Sequence, residues 1–196
     1  MNSSIETVRQ CARQHPLVLI GLMGAGKTSI GRRLASVLDV PFSDADQEIE
    51  KAAGKTINEI FEEDGEAFFR DGEHRVISRL LNEGGKVLAT GGGAFMHEGT
   101  RREIAERGIS IWLNADLDLL MSRVQRRDTR PLLRADNPRA VMEKLIAQRY
   151  PVYALADVTI NSREVPHEVI VEEIIHAIAD CGKCLALPAV SAKGQC

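Results

Sequence analysis

Aromatic residues are scarce, at 4% of 196 residues. The one strongly basic stretch, residues 123–134, contains none, so it lacks the platforms on which bases stack. Excess positive charge is missing too. The net charge is −3, so no overall field draws the chain to nucleic acid or an anionic membrane, and neither is expected as a partner. No apolar run approaches the ~20 residues that span a bilayer. Residues 1–15 mix Glu6, Arg9 and Arg13 with polar residues and lack the apolar centre of a secretory signal. A cytoplasmic location is expected. Cysteine is limited to Cys11, Cys181, Cys184 and Cys196. The Cys181/Cys184 pair has no second ligand pair at zinc spacing, so reduced surface or tail thiols are expected.

What is present is alternation. Leu17, Val18, Leu19 and Ile20 form a short continuous apolar run, as for a strand buried on both faces. A glycine-rich turn and a helix over 27–38 follow. A second strand ends near Ser43, and Thr56 with Glu59 makes a capping box. The spacing predicts helices over 66–81, 97–107, 116–126 and 166–179, and one opened by Asn137 and Pro138. Strands are predicted at 86–89, 109–113 and 158–160. This pattern is an α/β fold with a parallel sheet and right-handed crossovers. Such sheets bind ligands beyond the carboxyl ends of their strands. One domain over 16–180 is expected, with an N-terminal extension (1–15), a lid at about 127–137 and a loose tail over 181–196.

Gly21-Leu22-Met23-Gly24-Ala25-Gly26-Lys27-Thr28 matches G-x-x-x-x-G-K-[ST] in full, between a buried strand and a helix. Glycines there let backbone N–H groups turn inward, and the helix N-terminus adds partial positive charge. Gly24, Ala25, Gly26, Lys27, Thr28 and Ser29 are therefore expected to hold the phosphates of ATP, with Thr28 on Mg²⁺.

Many such proteins take a magnesium carboxylate from the end of a later strand. Here that strand runs Val87-Leu88-Ala89-Thr90 into Gly91-Gly92-Gly93 without an acid. Asp44 and Asp46 follow the second strand instead. If that segment stays extended, residues two apart face the same way, and both carboxylates enter one pocket. One can serve Mg²⁺ and the other can take a hydroxyl proton. On local sequence alone they could equally be solvated loop acids, one of them capping the next helix.

With Phe69-Arg70, Arg130-Pro131-Leu132-Leu133 and Arg149 ahead of Tyr153 added in order, the chain resembles the shikimate kinase family over about residues 16–179. The resemblance implies a P-loop NTPase fold like that of the nucleoside monophosphate kinases, with five parallel strands in order 2-3-1-4-5. It implies ATP and Mg²⁺, and transfer of a phosphoryl group to the 3-hydroxyl of shikimate in aromatic amino-acid biosynthesis. By the same resemblance Asp46 is the proton acceptor and binds the substrate hydroxyls, and Asp44 holds the magnesium water shell. Arg70 and Arg149 clamp the substrate carboxylate. Gly91, Gly92 and Gly93 offer backbone N–H groups to the substrate, and Phe61 and Phe69 wall the pocket. Arg130 is the lid arginine on the transferring phosphoryl, while Arg127 and Arg163 lie where the family meets adenine. Lys27, Asp46 and Arg130 form the implied catalytic set, and a monomer is expected.

Without that pattern Arg70 and Arg149 could be helix-surface charges, and Phe61 and Phe69 plain core residues. A kinase of another small polyol acid, such as gluconate, is the alternative within the same class. A nucleotide-dependent binding or regulatory module is the alternative outside it.

Overall fold

Four consecutive apolar residues make β1 (Leu17–Ile20), and all four are buried. In the computed structural model, which describes residues 2–125 and 137–187, this strand is the centre of a five-stranded sheet. The others are β2 (Phe42–Asp44), β3 (Val87–Ala89), β4 (Ile109–Asn114) and β5 (Val158–Asn161). Their order is β2-β3-β1-β4-β5, and every pairing is parallel. Leu17 is level with Val87 on one side and with Ile109 on the other. Each fully buried aliphatic residue there contributes on the order of 2 kcal/mol over an exposed one. This explains why β1 reads as an unbroken apolar run and edge strand β5 alternates between buried and exposed.

The helices are α1 (Asn2–Gln14), α2 (Lys27–Leu38), α3 (Ala45–Ala53), α4 (Ile57–Glu63), α5 (Gly65–Asn82), α6 (Glu98–Arg107), α7 (Leu117–Gln125), α8 (Pro138–Tyr153), α9 (His167–Cys181) and α10 (Lys183–Ala186). The capping box expected at Thr56 and Glu59 starts α4. Asn137 caps α8, with Pro138 in its first turn. Pro166 precedes α9 as its cap residue. A 3₁₀ turn over Ala94–Met96 intervenes before α6, for which His97 is the cap and not the first helical residue. Among the described residues no helix is long and apolar enough to cross a membrane.

Four expectations are corrected. The segment after β2 is not extended: Asp44 ends the strand and caps α3, so Asp46 lies in the first helical turn. The N-terminal residues form α1, which packs on α9 and α2 and buries Val8, Cys11 and Ala12. The chain after residue 181 is not loose throughout, because Gly182, at φ 67°, turns it into α10. The thiol reading changes with it. Cys11 is bonded to Cys184, with Cα atoms 5.6 Å apart across 173 residues of sequence, and Cys181 is an exposed free thiol. Packing of α1 on α9 brings these cysteines together, and local spacing carries no trace of it.

Candidate active site

The phosphate loop leaves β1 at Gly21 and closes on α2 through Gly26, which takes φ 99°, a left-handed conformation that favours glycine. Lys27 Nζ curls over the loop, donating to the carbonyl oxygens of Gly21 (2.8 Å) and Leu22 (3.0 Å). Thr28 Oγ1 donates to Asp44 Oδ2 at 2.9 Å, while Asp44 Oδ1 accepts from the Asp46 backbone N–H at 3.2 Å. A hydroxyl and a carboxylate thus stand together beside the phosphate loop. Hard oxygen donors of this kind suit Mg²⁺, which commonly takes one or two protein oxygens and completes its shell with phosphate and water. Among the described residues no cluster of three or more His, Cys, Asp or Glu could hold a metal by itself.

The second half of the site is built on the turn after β3. A Cβ at Gly91 would lie 2.7 Å from Glu73 Oε1 and 2.8 Å from Asp46 Oδ1, so only glycine lets both carboxylates approach this backbone. A Cβ at Gly93 would run into the Arg70 guanidinium. Arg70 Nη1 donates to Glu73 Oε2 at 2.7 Å, and its Nη2 reaches Glu66 at 3.3 Å. From α8, Arg149 Nη1 donates to the Gly92 carbonyl at 2.9 Å, and the Tyr153 hydroxyl donates to the same oxygen. Phe61 and Phe69 pack with ring centroids 4.5 Å apart, and the Arg70 guanidinium lies over Phe69 at 5.1 Å.

Both halves face one cleft of about 610 Å³. It gathers Gly24, Gly26, Lys27, Thr28, Ser29, Asp44, Asp46, Phe61, Phe69, Arg70, Gly91, Gly92, Gly93 and Arg149, all singled out from sequence. Ala25, in the same loop, is buried and does not line the cleft. Arg163 is not brought to the cleft by its side chain, which pairs with Glu173 on α9. Arg127 and Arg130 lie outside the described residues.

Among the cleft or near-cleft residues not picked out beforehand as site residues are Glu73, Arg123, Tyr153 and His167. Glu73 is 3% exposed, and burial raises its carboxyl above the ordinary value against the pull of Arg70 and Arg149. Burial works to lower the Arg70 pKa, but Glu73 and Glu66 outweigh it and the net direction is upward, so Arg70 stays charged. The i,i+3 spacing of Arg70 and Glu73 on one helix was a visible hint of this pair. Burial pushes the Tyr153 phenol up to about 12, so it remains a donor to Gly92. Arg123 and His167 line the cleft near the phosphate loop. The His167 pKa is lowered, first by burial and then by Arg33 and Arg123. Arg123 and His167 reach the cleft through packing of the elements that follow β4 and β5, which spacing in the chain does not reveal.

The arrangement joins an anion cradle to a pocket with a carboxylate, two guanidinium groups and an aromatic wall. A family model for shikimate kinase matches residues 23–179. A shikimate kinase of Rhodopseudomonas palustris is 61% identical over 165 residues, covering 84% of this chain and 81% of that one. The structure of a shikimate kinase from Acinetobacter baumannii, in complex with shikimate, superposes with a TM-score of 0.81 at 38% identity, over 85% of this chain and 94% of that one. A gluconokinase from Sinorhizobium meliloti shares the fold, with a TM-score of 0.58 at 16% identity over 89% of this chain and 97% of that one. At that identity the likeness to gluconokinase is one of fold alone, whereas the family model and the relative at 61% identity carry this chain beyond fold: it belongs to the shikimate kinase family.

Proposed function

We propose that the protein phosphorylates the 3-hydroxyl of shikimate with ATP. One observation carries the reading: a single cleft holds the phosphate loop, Asp46 and the guanidinium groups of Arg70 and Arg149. Phosphoryl transfer needs little covalent help from a protein, so positioning and charge neutralisation are what these residues have to supply.

Backbone N–H groups of the loop and Lys27 hold the β- and γ-phosphates, with Thr28 and Asp44 as the oxygen pair that would hold Mg²⁺. When bound, the ion supplies positive charge against the phosphate oxygens. Arg70 and Arg149 each offer a planar fork that can bond both oxygens of a carboxylate. With the substrate carboxylate held there, Asp46 accepts the proton of the attacking hydroxyl. The new O–P bond forms as the bond to the leaving ADP breaks, and the proton ends on Asp46. Arg130, and more remotely Arg127 and Arg163, enter through the family resemblance alone.

Gluconate is the less favoured substrate. The kinship to a gluconokinase is of fold only, while the relatives at high identity are shikimate kinases. The deciding measurement is coupled ADP release by the purified protein with shikimate and with gluconate, with Mg²⁺ present and then chelated. Shikimate-dependent, chelator-sensitive release is expected. Faster turnover of gluconate would displace the substrate, and no turnover with either would leave a nucleotide-binding module.

A further inference from the structure

The loop that cradles the phosphates is held by two side chains that no motif includes, Arg123 at the edge of the cleft and Ser162 buried outside its lining. Arg123 Nη1, on α7, reaches the carbonyl oxygens of Gly24 (3.3 Å) and Ala25 (3.4 Å) and the Oγ of Ser162 (3.0 Å). Its Nη2 donates to the Arg163 carbonyl at 3.2 Å. Ser162, just past β5 and 6% exposed, donates its hydroxyl to the Ala25 carbonyl at 3.2 Å. The Ser162 Oγ thus accepts a hydrogen bond from Arg123 and donates one to the Ala25 carbonyl, so the two contacts form one chain.

The consequence follows from the planarity of the peptide unit. A trans peptide points its carbonyl and its N–H in opposite directions. Holding the Ala25 carbonyl toward Ser162 and Arg123 turns the Gly26 N–H the other way, and Gly26 is on the cleft wall. Gly26 takes a positive φ and neighbours Gly24, which also does, so this stretch has little intrinsic preference for one peptide orientation. An anion nest works only when successive N–H groups converge.

We propose that Ser162 and Arg123 are positioning residues that preset the Ala25–Gly26 peptide for phosphate binding. The clamp tethers the phosphate loop to the segment after β5, joining residues 137 apart in sequence. This inference rests on the loop being the triphosphate site, and goes beyond it by assigning the preorganisation to two specific side chains.

The test uses inorganic tripolyphosphate as a probe without base or ribose, with binding followed by calorimetry on the full chain. Ser162→Ala and Arg123→Lys are each expected to weaken tripolyphosphate binding by about tenfold, the loss of one or two buried hydrogen bonds. KM for ATP should rise in parallel, with kcat and the affinity for shikimate nearly unchanged. Ser162→Thr, which keeps the hydroxyl, should restore binding. Unaltered tripolyphosphate affinity in both variants would overturn the clamp, and so would equal losses of ATP and shikimate affinity, which mark general loosening. If Ser162→Ala fails to fold, Arg123→Lys alone decides. Failure of the wild-type protein to bind tripolyphosphate would instead sink the assignment of the loop.

Discussion

Asp46 stands in the first turn of α3 with its carboxylate against Gly91, where, under the proposed function, the hydroxyl of a substrate whose carboxylate meets Arg70 and Arg149 would arrive. Asp46→Asn keeps the shape and removes the base. It should lower kcat by at least about a hundredfold while ADP binding persists, as single-turnover assays and calorimetry would show. Near-normal kcat would take the proton-acceptor role from Asp46. Arg149 differs, because under the proposed function it meets the substrate carboxylate, while it also donates to the Gly92 carbonyl. Arg149→Ala should raise KM for shikimate by about ten- to a hundredfold, the worth of a charged hydrogen bond, with little change in KM for ATP. Glu73 offers a pH signature. Burial raises its folded-state pKa above the ordinary value of 4.5, so the native state holds the proton more readily than the unfolded chain. Its stabilising contribution is therefore full below the unfolded value and is lost as pH rises through the raised value. Against Glu73→Gln, the wild-type melting temperature should gain as pH is lowered from about 7 to about 4.5. Parallel curves for the two proteins would show that Glu73 is not perturbed.

At the scale of elements, the cleft depends on short pieces that sit at the ends of strands. The helix α4 is only seven residues long, yet it brings Ile57 and Phe61 to the cleft wall. A helix so short has little stability of its own. Its start is held by reciprocal bonds: the Glu59 N–H reaches Thr56 Oγ1 at 3.3 Å, and the Thr56 N–H reaches Glu59 Oε2 at 2.7 Å. Thr56→Ala should cost about 1 kcal/mol in a urea titration and raise KM for shikimate severalfold as the aromatic wall loosens. An unchanged midpoint would mean that tertiary packing alone sets α4. The capping box, the strand-to-loop-to-helix unit and the Asn137–Pro138 start were all legible in sequence because each is made by residues within a few positions of one another. The few aromatic residues show the opposite. Trp112, Tyr150, Tyr153 and Phe95 come from three separate segments and gather behind Gly92, with Trp112 and Tyr150 centroids 5.0 Å apart. No local pattern announces that cluster, although it seats the helix bearing Arg149.

For the whole molecule, the bond between Cys11 and Cys184 ties α1 to α10 across 173 residues of sequence. Loop-closure entropy for a separation of 173 residues puts its effect at roughly 5 kcal/mol as an upper figure. Excess dithiol reductant, or Cys184→Ser, should lower the melting temperature by several degrees, while Cys181→Ser should not. Superimposable melts with and without reductant would show that the bridge makes no difference. Residues close in the chain settled the fold class, the phosphate loop and the succession of strands and helices, since helix caps, glycine turns and buried runs act over a few residues. Tertiary structure alone decided that α1 joins the core, that Cys11 meets Cys184, that the Arg70–Glu73 pair comes beside Asp46 at Gly91, and that Ser162 grips the phosphate loop. Those contacts exist because burial of apolar surface over the full chain brings distant segments together, and that free energy belongs to the packed whole and to no stretch of sequence by itself.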